Sequence, residues 1–220
     1  MAGTSAGPPA DAAAEEAAFC HESDLNSAWA GSRLAIAALS LLFGSFLFAY
    51  FYLRSLNSAG RWLGSGYHPP SMITGSFTMM MVVISAAVHY AGLQQIKAGS
   101  KHHWQILGLA ALVIGLGAVA LQITELLYLR FWPGSSGYSS VFVAFYPVFI
   151  VVLLAGLFWL ETLLARSRRI PASSFMEPPS TFPAACEVQR FQASLSAFGL
   201  VWNYLALVGV LFWALFYVIP

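Results

Sequence analysis

Charged side chains are scarce in this chain: Asp, Glu, Lys and Arg together make up 9% of its 220 residues, against about 25% in an average soluble domain. That scarcity excludes a largely solvated surface. A net charge of +1, with no large basic cluster, also argues against a nucleic-acid footprint. Cysteine is limited to Cys20 and Cys186, in no paired metal spacing, and Cys20-His21 lacks the second cysteine of a C-x-x-C-H haem attachment. Haem, copper and zinc centres need several converging ligands. The apolar segments offer His89, Glu125 and no cysteine, so no metal or cofactor is expected on this chain. Nucleophile–base pairs and phosphate-cradling glycine loops are missing as well, and no catalytic residue is expected.

What the chain has instead is apolar length. Residues 34–53 run for 20 positions without a charge before Arg54, about the number a helix needs to cross a hydrocarbon core of about 30 Å. Four further runs follow at 73–93, 104–129, 141–160 and 195–218. In lipid, backbone polar groups must be satisfied internally, so runs of this length form helices. The expected fold is all-α, an integral membrane bundle of five transmembrane helices over residues 32–220. Residues 1–31 are Ala-rich and acidic, without a cationic start or an early apolar core. They read as a flexible cytoplasmic tail rather than a cleavable signal peptide.

Lys and Arg set the expected orientation. With a cytoplasmic N-terminus, seven fall inside (Arg33, Lys97, Lys101, Arg166, Arg168, Arg169, Arg190) and three outside (Arg54, Arg61, Arg130). The positive-inside rule therefore places the N-terminus in the cytoplasm and the C-terminus outside. Both cysteines then lie on the reducing side as inert thiols. The one long connection, 166–194, carries four Arg and four Pro over 29 residues and should lie over the cytoplasmic face.

Spacings of three and four define the helix faces. In the third span Ala111, Gly115, Ala118, Gln122 and Glu125 share one stripe. Small residues let membrane helices approach, and polar side chains bond across the contact, so this stripe should face protein. Thr74, Thr78, Met81, Ser85, His89 and Gly92 form a similar line on the second span, and Ser196, Gly199, Asn203 and Ala206 one on the fifth. Glu125 is the one acid well inside a span; such groups pair, protonate or face water. It reads either as a proton-relay member or as an outer-interface structural carboxylate, hydrogen-bonded to Gln122 and to neighbouring helices. Pro147, early in the fourth span, should kink it or force a local adjustment.

Several segments resemble subunit III of the haem-copper oxidases. They are Phe48–Arg54 (FAYFYLR), the stretch Pro70–Lys101 with Ser76-Phe77-Thr78, and Gly117–Glu125 (GAVALQITE), which is similar to that family's G…Q-x-x-E helix. The fourth span and the terminal Trp202–Val218 helix follow in the right order. The likeness covers about residues 32–218 and corresponds to the family's five-helix form. Departures are clear. Leu39 stands where the family usually carries a buried glutamate, Tyr146 and Phe149 stand around its usual histidines, Trp202-Asn203-Tyr204 replaces Trp-His-Phe, and Ala206 replaces an aspartate. Proton-handling roles attached to those groups do not carry over.

The resemblance implies a cofactor-free, non-catalytic subunit of a respiratory oxidase in a bacterial-type inner (plasma) membrane. Haem and copper would sit in the partner subunits I and II, and membrane lipids would be held between helices. Arg54, His89, Gly115, Gln122, Glu125 and Asn203 are its candidate structural, interface or lipid-contact residues. Two other readings stay open: the accessory subunit of a nitric oxide reductase, and a small-solute transporter. The latter would want paired halves or helices broken at the midplane.

Overall fold

The computed structural model describes residues 10–57, 62–64, 70–176 and 182–220, and among these all regular structure is helical. Helix α1 is Ala10–Leu56, α2 Met72–Lys97, α3 Lys101–Leu127, α4 Gly137–Arg169, α5 Ser173–Met176 and α6 Phe182–Trp213, the last continuing as a π-helical turn, Ala214–Val218. Five of them are long and apolar enough to cross a membrane, and the fold is a multi-pass membrane bundle.

Helices run further than their apolar cores. The chain is helical from Ala10, so residues 10–31, expected as a flexible tail, continue the first span; residues 1–9 lie outside the described part. The physical reason is composition. Ala12–Ala14 and Glu15–Ala18 are strong helix formers, and a helix already anchored in the bilayer extends without a new nucleus. Likewise the expected 166–194 connection is largely helical, divided between the end of α4, the short α5 and the start of α6. Arg166, Arg168 and Arg169 occupy the last turn of α4, where cations suit the helix dipole. At the other extreme α3 stops at Leu127 rather than Leu129, because the following chain turns through Pro133 and Gly134, the latter at φ 88°.

Helices α2 and α3 form a tight hairpin. Gly99, at φ 84°, takes the left-handed position that ends α2, and the Gly99 and Ser100 N–H groups bond back to Ile96 O and Gln95 O. Helix α6 packs against α1, α2 and α4, while α4 also holds α1 and α3. These two are the core helices. Half of the most apolar window of α4 and 61% of that of α6 is buried inside the protein, against 11% for α1. Phenylalanines join the three: Phe145 stacks on Phe212 at 3.9 Å, and Phe43 meets Phe145, Phe149 and Phe212 at about 6 Å. Helix α4 runs unbroken through Pro147, whose ring faces outward. The lost donor therefore lies away from the packed face.

Candidate functional site: a carboxylate held by two tyrosines

Every member of the α3 stripe, Ala111, Gly115, Ala118, Gln122 and Glu125, is buried. The stripe delivers Glu125, 8% exposed, to the end of the bundle where the chain also finishes. There the Tyr217 hydroxyl donates to Glu125 Oε1 at 2.6 Å. Tyr146 on α4 makes a longer contact to Oε2 at 3.4 Å. The two phenols also bond each other. Having given its own proton to the carboxylate, Tyr217 accepts from Tyr146. Three helices thus close around one acid.

The local backbone explains how Tyr217 reaches it. Residues 214–218 wind as a π-turn, with Ile219 N–H bonding Ala214 O at 3.0 Å. Such turns add a residue per turn, re-aim the side chains that follow, and recur at functional sites. The Tyr217 ring then passes directly over Gly75 of α2: a Cβ there would lie 2.3 Å from Cζ. No side chain fits at Gly75 while Tyr217 holds Glu125. Beyond the carboxylate, an open groove of about 550 Å³ is lined by Glu125, Thr74, Thr124, Tyr128 and Arg130.

Arg54 belongs to the same end of the bundle but serves another purpose. Its guanidinium donates to Tyr50 Oη at 3.1 Å and to Ile219 O at 2.9 Å. Tyr50 in turn donates to Leu215 O at 3.0 Å and to Ile219 O, and Tyr138 donates to Phe216 O at 3.0 Å. The last carbonyls of a helix have no partner within it. Here two tyrosines and a cation cap them from α1 and α4, at the terminus where positive charge is favoured.

The other candidates separate. Gly115 lies where α2, α3, α4 and α6 converge: a Cβ would fall 2.5 Å from Leu157 Cδ2 and about 3.4 Å from Ser85 Oγ and Trp202. Beside it Ser85 donates to Ala111 O at 2.8 Å and accepts from Trp202 Nε1 at 3.3 Å. His89, also buried, rests edge-on against Phe198 at 4.8 Å over Gly199. Thr78, Ser85, His89 and Gly92 of the α2 line are buried, while Thr74 and Met81 are only partly so. Asn203 corrects the expectation for the fifth span. It is exposed, because the inward face of α6 is set by Phe198, Trp202 and Leu205. Asn203 instead joins Leu200, Leu207 and Val210 on the outward stripe.

Cys186 is a buried free thiol, and the side chain of Cys20 lies outside the described part. Among the described residues no three His, Cys, Asp or Glu side chains converge. Glu125 bonds to Tyr217 and Tyr146 rather than to the expected Gln122, and the sequence reading missed the tyrosines as partners of Glu125 and of the chain end. The available signal was a phenol inside an apolar helix, whose hydroxyl needs a partner when buried. No family model matches this chain, and no curated protein matches it either.

Proposed function

We propose that the chain is a cofactor-free accessory subunit of a haem-copper respiratory oxidase, of the subunit III kind. It would sit in a bacterial-type inner membrane with its N-terminus in the cytoplasm and its C-terminus outside. The reading is carried by the Gly…Gln-x-x-Glu pattern of α3, and it is supported by the burial of both polar members of that pattern in a packed helix interface. A cluster that ties three helices together through one carboxylate suits a support. A solute pathway would instead call for a carboxylate facing a cavity that traverses the membrane.

Partner contact has its own support. The α6 stripe of Leu200, Asn203, Leu207 and Val210 is outward-facing and flanked by α1 and α2. An amide in the hydrocarbon gains by bonding to another helix or to a lipid headgroup. Helix α1 leaves Ala37, Leu41, Gly44 and Phe48 exposed at steps of 4, 3 and 4, a face with room for a neighbouring helix. In this reading the redox subunits I and II cover part of that surface and lipids the rest. Mild-detergent purification of the tagged chain should bring down haem-bearing polypeptides. Recovery as a lone haem-free protein contradicts the proposal. Reduction of nitric oxide rather than oxygen by the recovered complex would move the chain to the nitric oxide reductases.

A further inference from the structure

Next to the tyrosine pair lies a small cavity of about 20 Å³ between α2, α3, α4 and α6. Thr78, Gln122, Tyr146 and Tyr217 line it, with Phe149 and Phe212 supplying apolar walls. Thr78 Oγ1 and Gln122 Oε1 are fully buried and have no hydrogen-bond partner among the described residues. Orphaned buried polar atoms are rare in folded proteins, and here two belong to residues that line one cavity. Turning the Gln122 amide over would exchange an orphaned acceptor for an orphaned donor and solve nothing.

We infer that this cavity binds one ordered water molecule, which joins Thr78 and Gln122 to the Tyr146–Tyr217–Glu125 cluster. A water needs about 10–15 Å³ and two to four polar partners, and the site supplies both. The donor count closes. The water donates to Gln122 Oε1 and to a phenol oxygen, and it accepts from the Thr78 hydroxyl. Glu125 lines the open groove at the bundle's end, so a polar track runs from that groove through two phenols to the water. It stops there. The next polar group along the seam, Ser85, already spends its hydroxyl on Ala111 O and Trp202.

The inference does not depend on the proposed function, and its test uses the purified full-length chain. Thr78→Val keeps the side chain's shape and removes its hydroxyl. With the water in place, the variant strips it of a partner, and Tm should fall by about 2–4 °C, the shift expected for a single lost bond in a protein of this size. If the cavity were dry, valine would relieve an orphaned hydroxyl; an unchanged or raised Tm overturns the inference. Infrared difference spectra in H2(16)O and H2(18)O read the site without any variant. A sharp isotope-sensitive water band should be present in the parent, be lost in Gln122→Leu, and shift in Tyr217→Phe. A parent spectrum without the band overturns the site, and a band indifferent to Tyr217→Phe overturns its link to Glu125.

Discussion

The hydroxyl of Tyr217 donates to Glu125 Oε1 at 2.6 Å from a turn wound with an i→i+5 bond. Because Gly75 lies under the tyrosine ring, this single contact ties the end of α6 to α3 across α2. Hydrogen bonds to charged groups contribute about 1.5–3 kcal/mol. Tyr217→Phe should therefore destabilise the purified chain by about that amount in a thermal melt. Tyr128→Phe, at a residue 82% exposed, should stay within about 0.5 kcal/mol of the parent. Equal effects of the two changes would detach Tyr217 from the stability of the bundle.

Glu125→Gln keeps an acceptor for one tyrosine and loses the charge. Stability or assembly should fall by about 1–2 kcal/mol, with the initial turnover of any associated complex changed little. The reverse pattern, slowed turnover at unchanged stability, would assign Glu125 to proton relay instead.

Glycines separate close packing from open surface. Gly115→Leu must displace Leu157, whose Cδ2 lies 2.5 Å from the new Cβ, and overpacking of this kind costs about 1–3 kcal/mol. Gly44→Ala meets nothing within 4 Å and should leave the isolated chain unchanged or slightly more stable through helix propensity. Circular-dichroism melts of both variants check the contrast, and a parent-like Gly115→Leu would remove the α3 stripe from the packed interface.

Much of this arrangement was legible in the sequence because lipid leaves few choices. Apolar length fixed five helices, and the 3-and-4 spacing placed the whole stripe of Ala111, Gly115, Ala118, Gln122 and Glu125 inward. Asn203 shares its 3-and-4 line with Gly199 and Ala206, which are buried, but lies at the exposed edge of that line. Nearby Trp202 and Phe198 claim the interior by size, and they rotate the amide outward. The helical reach of residues 10–31 was hidden by a polar composition that suits both a loose tail and a solvated helix. The tyrosine cluster was the least legible part. Tyr146 and Tyr217 are 71 residues apart, and their meeting depends on a π-turn that has no sequence signature of its own.

Asn203→Leu tests the outward stripe. Being exposed, the side chain should contribute less than about 0.5 kcal/mol to the isolated protein, whereas recovery of partner chains in mild detergent should drop. Unchanged recovery would remove Asn203 from the proposed interface.

The most direct measurement is a visible absorption spectrum of the complex purified through this chain, reduced minus oxidised, with its polypeptides identified. Haem bands residing in co-purified subunits, and none in the chain once it is stripped from them, are the predicted result. A preparation of pure chain that carries iron or copper on its own side chains would contradict the account.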